Sequence, residues 1–529
     1  MIAGDSVPAV VRERAQLTPD LEGLVDNDLR LSFAEVSDRI DAAARAYIAA
    51  GIAPGDRVGI WAPNIAEWVF AAFGALAAGA VVVPLNTRFK GAEAAFVLGR
   101  SRAKVLCCVN GFLGNDYVGM LRDAGVPESV ETIVVLRGDV PAEAPAGTIA
   151  YADFVARGEA VPIGAVDERI AALHGGDVCD IIFTSGTTGK PKGAMLTHAQ
   201  SLRVFDAWAS TVGVEEGDRY LVVNPFFHTF GYKAGLLACF IKGATIVPVA
   251  VFDVPTVLEL VERERITVVP GPPTLYLSIL DHPERDAHDL SSLRLAVTGA
   301  AAVPVEMIRR MREELTFRTI VTAYGLTEST GTVSICRPDD DPETISHTSG
   351  RAIEGVEVRI VDDDNEALPA GQPGEIVCRG YNVMLGYFED EEATRQAIDA
   401  DGWLHTGDIG VMDERGYLRI TDRKKDMFIV GGFNVYPAEV EGMLHEHPQV
   451  AQVAVVGVPD ERMGEVGVAY VVPRAGETID PDDFLSWCAA NMANYKVPRR
   501  AIVVSELPVN ASGKVLKYEL RQQQDNERE

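Results

Sequence analysis

The sequence predicts an α/β fold built in more than one domain, because short β-branched runs alternate with longer stretches of helical character over most of its length. From about residue 28 to 300 the runs at 58–60, 81–83, 104–106, 132–136, 245–249, 267–269 and 295–297 alternate with Ala/Leu/Glu/Arg stretches. From about 345 to 420 the helical stretches thin out, and 356–361, 374–379 and 417–420 read as strands between Asp/Gly turns, a smaller β region. After Asp422 the patterns mix again: 439–444 and 482–490 read as helices, 452–457 and 467–473 as strands. The last residues form a polar Gln/Asp/Glu/Arg tail that is expected to be disordered. At 529 residues the chain is too long for one core, and two to four domains are expected.

The balance of 47% hydrophobic and 24% charged residues is that of a globular protein. Seven cysteines, odd in number and without a C-x-x-C pair, indicate neither a disulfide framework nor a zinc site and fit a reducing cytosol. No export, prenylation or peroxisomal signal is recognisable, so a cytoplasmic protein is expected. Residues 68–85 are uncharged for 18 positions, the lower edge of a membrane span, but Gly74, Gly79 and Pro84 interrupt them. They read instead as a buried helix to about Ala78, a glycine stop and a strand at 81–83, so no transmembrane span is expected. The net charge of −29 argues against a nucleic-acid partner, whose phosphates it would repel over a Debye length of about 8–10 Å. A small polyanion would need local basic clusters, and the candidates are Arg423-Lys424-Lys425, Lys496 with Arg499-Arg500, and Lys514 with Lys517.

The mostly apolar run 178–183 reads as a buried strand, and it leads into Ser185-Gly186-Thr187-Thr188-Gly189-Lys190-Pro191-Lys192-Gly193. Glycines there let backbone N–H groups turn toward phosphate oxygens, and hydroxyls and lysines complete a grip for a nucleoside triphosphate. The spacing G-x-x-x-x-G-K-[ST] is absent, and Pro191 keeps the loop from running straight into a helix, so a Walker-type kinase or GTPase is excluded. The segment from Thr184 to Gly193 resembles the phosphate loop of the AMP-forming adenylate synthetases, the superfamily of acyl-CoA synthetases, peptide-synthetase adenylation domains and beetle luciferases. Further motifs stand in that family's order at 299–301, 324–328, 406–408 with 423, and 508–514. The resemblance implies a large N-terminal domain of α/β subdomains plus the small β region (1–421), a hinge (422–425) and a mobile α+β C-terminal lid domain (426–529).

It also implies roles. Thr184, Ser185, Gly186, Thr187, Thr188, Gly189, Lys190 and Lys192 would hold ATP, with Thr188 and Glu328 at a Mg²⁺ ion. Thr327 would donate to the α-phosphate, and Tyr324 with Gly325 would face the adenine against Gly299, Ala300 and Ala301. Activating a carboxylate brings it against a phosphate, so cationic charge is needed where negative charge builds up; one cation ~4 Å away contributes ~4 kcal/mol at an effective dielectric of ~20. Lys514, in the run Pro508-Val509-Asn510-Ala511-Ser512-Gly513-Lys514, resembles the family's adenylation lysine. Locally, Glu328 also reads as an acid at a helix start and Thr406-Gly407-Asp408 as an ordinary turn. The resemblance makes Asp408 the acceptor of the ribose hydroxyls, Arg423 its ribose-binding companion and Lys425 the hinge. Gly431, Gly432 and Phe433 resemble the element lining a pantetheine tunnel, and coenzyme A is the expected thiol co-substrate.

Residues 224–232, Asn-Pro-Phe-Phe-His-Thr-Phe-Gly-Tyr, are expected to line the acyl pocket. They offer no carboxylate to pair the buried ammonium of an amino acid, which argues for a largely apolar carboxylic acid. His228 resembles the family's gating aromatic or histidine; the alternative reading is a packed core histidine. The expected enzyme is an acid–CoA ligase releasing AMP and pyrophosphate. The Ala/Arg/Asp-rich, Lys-poor composition is similar to that of actinobacterial enzymes, and FFHTFGYKAG at 226–235 resembles ligases for the bicyclic propanoate of steroid and cholesterol catabolism. A medium- or long-chain fatty acid, a carrier-protein thiol or a luciferase-like oxidative second step remain alternatives, and a homo-oligomer is compatible with all of them.

Overall fold

The uncharged stretch becomes core: helix Ala66–Ala77 and strand Val81–Pro84 are buried throughout except at Glu67, and Gly79 turns between them with φ of +85°. Trp68 packs edge-on against Tyr232 and tilted against Phe226, each with ring centroids 5.2 Å apart. The computed structural model of the chain describes all residues except 1–3, 185–190, 300–302, 424–425, 431–432, 436, 461–462, 493, 510–514 and 527–529. Among the described residues no helix is long and apolar enough to cross a membrane.

Two compact units form, Met1–Glu357 with Cys378–Leu404, and Val358–Val377 with His405–Glu529. Among the described residues the first carries an eight-stranded and a nine-stranded sheet. The eight strands lie in the order 386–387, 192–197, 178–184, 81–84, 57–61, 103–108, 132–135 and 148–150, parallel from 178–184 onward and antiparallel before it. The nine lie in the order 351–352, 334–335, 319–324, 295–299, 268–270, 219–222, 245–248, 22–26 and 29–32, parallel between 319–324 and 22–26. Val/Ile/Leu-rich strands of this kind, wholly buried at 81–84 and 245–248, are what parallel pairing between crossover helices requires. Parallel strands also bring their C-terminal ends to one edge, which is where ligands of such sheets bind.

In the second unit strand Leu404–Met412 pairs antiparallel with Leu418–Arg423, beside Gly374–Gly380. A further sheet runs Phe433–Val435, Phe428–Val430, Gly464–Pro473 and Val450–Asp460, with Arg500–Val503 parallel to Gly464–Pro473. Phe428, Val440, Leu444, Val455, Val471 and Phe484 share its core with helices Pro437–Leu444 and Pro481–Asn491. The tail corrects the expectation of disorder. Lys517–Asn526 is a helix: Leu520 and Gln524, one turn apart, are each 1% exposed, and the Tyr470 hydroxyl donates to the Leu520 carbonyl at 3.0 Å. Polar composition hid this one anchoring stripe; residues 527–529 lie outside the described ones.

All seven cysteines are buried and free, and burial pushes the thiols of Cys107, Cys179 and Cys378 up to about 12. His198, 1% exposed at the start of helix His198–Val212, accepts from the Val7 N–H at 3.2 Å. Burial, with the Lys233 ammonium adding to it, pushes its pKa down to about 3. The unfolded chain protonates this ring near 6.5 and the folded chain only near 3, so acid favours unfolding once the pH falls below 6.5. His198 accordingly costs on the order of 1 kcal/mol of stability at pH 5.5. The expected result is that His198→Asn, whose amide oxygen can still accept from Val7, loses less melting temperature than wild type between pH 7.5 and 5.5; equal losses would refute it.

Candidate active site

Strand Val178–Thr184 and strand Lys192–Thr197 form an antiparallel pair with Thr184 opposite Lys192, so the two flanks of the glycine loop are fixed side by side. Pro191 does lead into a strand, as its position requires. Ser185, Gly186, Thr187, Thr188, Gly189 and Lys190 themselves lie outside the described residues, as do Ala300, Ala301, Lys425, Gly431, Gly432 and Lys514.

Two parallel strands of the other sheet, Leu295–Gly299 and Thr319–Tyr324, end together, Gly299 opposite Ala323. Gly299 and Tyr324 are thereby brought to one edge, both part-exposed. The chain then turns tightly at Gly325, where a Cβ would stand 2.2 Å from the Gly331 carbonyl oxygen. A single 3₁₀ turn, Thr327–Ser329, follows, with Thr327 buried and Glu328 half-buried.

Glu328 joins the two sheets. Its Oε1 accepts from the Tyr387 hydroxyl at 2.9 Å and from the Thr184 hydroxyl at 3.3 Å, while its carbonyl accepts the Met384 N–H at 2.8 Å. Thr330 and Asn382 add hydrogen bonds alongside, Thr330 Oγ1 to the Asn382 carbonyl at 2.7 Å and Asn382 Nδ2 to the Thr332 carbonyl at 3.0 Å. Burial and the Glu328 carboxylate hold the Tyr387 phenol well above its ordinary 10, so it stays a donor. The Lys192 ammonium lies 5.3 Å from the centroid of the Tyr387 ring, close enough for a cation–π attraction. Tyr387 is a site residue that the sequence did not reveal, since 59 positions separate it from its partner.

The acyl segment divides in two. Phe226 and Tyr232 are core, at most 1% exposed and packed on Trp68, whereas Phe227, His228 and Phe230 keep exposed surface. The expected aromatic lining therefore narrows to those three. Asn64 fixes the segment: its Nδ2 donates to the Val222 and Asn224 carbonyls, each at 2.9 Å, and its Oδ1 accepts the Phe226 N–H at 2.9 Å. Gly231 is required, because a Cβ there would lie 2.2 Å from the Asn224 and Pro225 oxygens. His228 is not a packed core histidine. Its ring is open to solvent, yet enough protein surrounds it that desolvation lowers its pKa below 6.5, as in a recess. Its Nδ1 accepts the Phe230 N–H at 3.2 Å, which assigns the proton to Nε2 and leaves a neutral donor there.

In the second unit Asp408 and Arg423 are cross-strand partners in the pair 404–412 with 418–423. The Gly407 N–H donates to Glu375 at 3.1 Å and the Asp408 N–H to the Thr406 hydroxyl at 3.1 Å, which sets Asp408 at 4% exposure. Val509 and Val515 form a bridge across the positions flanking Lys514, and Val430 pairs with Phe433 across those flanking Gly431 and Gly432. Two of the expected basic clusters are partly neutralised from within: Lys496 is paired with Glu439 at 2.5 Å and Lys517 with Glu441 at 2.8 Å.

The strand pair flanking the glycine loop, the acid held by two hydroxyls and the Asp/Arg strand pair all lie within or beside segments that match one family. Residues 11–388 match the AMP-binding enzyme profile, and residues 439–514 match the AMP-binding enzyme C-terminal domain. The chain belongs to the AMP-binding enzyme family. It is an AMP-forming acid–CoA ligase, an α/β enzyme that binds ATP and works through an acyl-adenylate. It is 50% identical over 521 residues to the 3-(7a-methyl-1,5-dioxo-octahydro-1H-inden-4-yl)propanoyl:CoA ligase of Rhodococcus jostii (strain RHA1), covering 98% of each chain. The ligase of the same description from Mycobacterium tuberculosis (strain ATCC 25618 / H37Rv) is 49% identical, again with 98% of each chain covered. Among solved structures, the anthranilate CoA ligase AuaEII in complex with anthranoyl-AMP is similar with a TM-score of 0.86 at 29% identity, covering 98% of this chain and 97% of that one.

A hydrogen bond to a charged group is worth about 1.5–3 kcal/mol, or about ten- to a hundredfold in rate where it acts fully. Tyr387→Phe is expected to lower kcat/KM for MgATP at least tenfold with little change in melting temperature, read by AMP release. An unchanged value would show that Thr184 alone orients Glu328.

Proposed function

We propose that this ligase activates a steroid-derived bicyclic propanoate, the acid of its half-identical relatives, and transfers the acyl group to coenzyme A in the cytoplasm. The observation that carries the substrate is identity of 50% and 49% to two such ligases over almost the full chain, far above the family background needed for the reaction alone. The part-exposed face of Phe227, His228 and Phe230 supports it, being apolar with one neutral donor suited to an oxygen acceptor.

The roles proposed with it are those the family resemblance implies. The grip at 184–192 takes the triphosphate, Tyr324 with 299–301 takes the adenine, and Asp408 with Arg423 takes the ribose. Among the described residues no cluster of three or more His, Cys, Asp or Glu can hold a metal. Glu328 and Thr188 would hold a magnesium ion brought in with ATP, and that ion would neutralise charge on the phosphates, the role such a small, strongly hydrated cation favours. Both described hydroxyls donate to Oε1 of Glu328 and so orient the carboxylate. Thr327 donates to the α-phosphate, and the Lys514 ammonium meets the charge that develops as the carboxylate attacks it. Lys425 acts as hinge for residues 426–529, and Gly431, Gly432 and Phe433 guide the pantetheine arm. His228 stands at the mouth of the acyl pocket.

AMP and pyrophosphate release, with and without CoA, across fatty, aromatic and steroid-derived acids tests the whole reading. CoA-dependent turnover with the bicyclic propanoate preferred is expected; preference for a medium-chain fatty acid would move the substrate, and adenylation without CoA transfer would move the acceptor. Lys514→Ala is expected to lower adenylation by more than a hundredfold while ATP affinity changes little. Lys425→Pro is expected to spare pyrophosphate release and block thioester formation, and loss of both would remove the hinge assignment.

A further inference from the structure

An ion pair lies wholly inside the first unit and belongs to none of the roles above. Lys233 and Asp180 are 1% and 0% exposed and directly paired. The ammonium also donates to the Ser201 hydroxyl at 2.8 Å, lies 3.6 Å from the Cys179 sulfur, and stands 4.6 Å from the centroid of the Tyr232 ring. Burial acts to lower the Lys233 pKa, but the Asp180 carboxylate and its neighbours outweigh it and the net shift is upward. Lys233 is therefore held as an ammonium.

What it connects is informative. Asp180 lies on strand Val178–Thr184, four residues before the Thr184 that touches Glu328 and just ahead of the glycine loop. Ser201 lies on helix His198–Val212, which follows the strand leaving that loop. One limb of the hairpin and the helix that continues the other thus hold the same ammonium. Lys233 itself sits in a π-helical turn, Tyr232–Leu237, directly after the acyl segment with His228 and Phe230. Gly231 and Gly235 press this turn onto its surroundings, since a Cβ on Gly235 would stand 2.7 Å from Val222 and one on Gly231 would strike the Asn224 and Pro225 oxygens. A widened turn is an unfavourable local geometry that needs a reason to persist.

The reason is register. Apolar side chains tolerate a helix slipping by one residue, whereas a slip here would leave an ammonium and a carboxylate unpaired in the core, at a cost far above that of repacking. We propose that the Lys233–Asp180 pair is a positioning device that locks the acyl-binding face at 227–230 to the phosphate-binding hairpin, so that acid selectivity and adenylation depend on one buried charge pair. Neither residue touches a substrate. The inference rests on the site reading above for what the two coupled segments bind.

The test replaces both charges by apolar groups of similar size, Lys233→Met with Asp180→Leu, because removing one alone strands the other. The double variant is expected to keep its melting temperature and bind ATP with a Kd within twofold of wild type. Its KM for the acid in acid-dependent AMP release is expected to rise at least tenfold, and its preference for the bicyclic propanoate over a medium-chain fatty acid to shrink at least tenfold. A folded double variant with wild-type KM and preference overturns the proposal, because a merely structural pair would move only stability. Should the double variant fail to fold, Ser201→Ala deletes one acceptor of the ammonium and is expected to raise the acid KM about threefold; no change overturns the proposal equally. Absence of acid-dependent AMP release in the wild type would instead strike the site reading itself.

Discussion

One carboxylate, that of Glu328, joins both large sheets of the first unit. Glu328 comes from the loop after the strand at 319–324, and the hydroxyls that hold it come from Thr184 and Tyr387, on strands of the other sheet. Thr184 is the last described residue before the glycine loop, so the strand that enters that loop and the loop that carries Glu328 are tied by the same hydrogen bonds. A buried or half-buried carboxylate left without such donors would be costly, which makes the arrangement self-enforcing: the sheets are held in the relation that satisfies the acid. The Lys192 ammonium on the Tyr387 ring extends the chain of acid, phenol and cation in the direction of the loop.

Much of the fold was legible because it rests on local period. The runs at 81–83, 295–297 and 467–473 are strands, and the uncharged stretch at 68–85 is a helix and strand as its glycines suggest. Three errors share one cause, the reading of composition where single contacts decide. The tail is helical because Leu520 and Gln524 bury one stripe of an otherwise polar segment. Phe226 and Tyr232 belong to the core because Trp68, far off in sequence, packs on them. Tyr387 and Asn64 act on the site through partners 59 and more than 150 positions away, and no spacing rule reaches that far. The pairing of Asp408 with Arg423 was reached only through family order, since T-G-D has no local signature of its own.

Charge is arranged with similar economy. A chain of net charge −29 must receive ATP, a carboxylate and CoA, all anionic, and it holds many of its cations in internal pairs. Lys496 and Lys517 are matched by Glu439 and Glu441, Arg219 by Glu22 and Glu264, and Lys233 by Asp180. Long-range attraction to the anions is therefore weak, and their capture has to rest on short-range contacts instead.

The cysteines complete this picture from the side of safety. An acyl-adenylate is a mixed anhydride and acylates any thiolate that reaches it, whether that thiolate belongs to coenzyme A or to the enzyme. All seven cysteines are buried, and burial raises the thiols of Cys107, Cys179 and Cys378 to about 12 and that of Cys488 to about 11. They remain protonated and out of reach at neutral pH. The intermediate is thereby kept from the protein's own thiols, and the loss of enzyme by cysteine acylation is closed off without any dedicated shield.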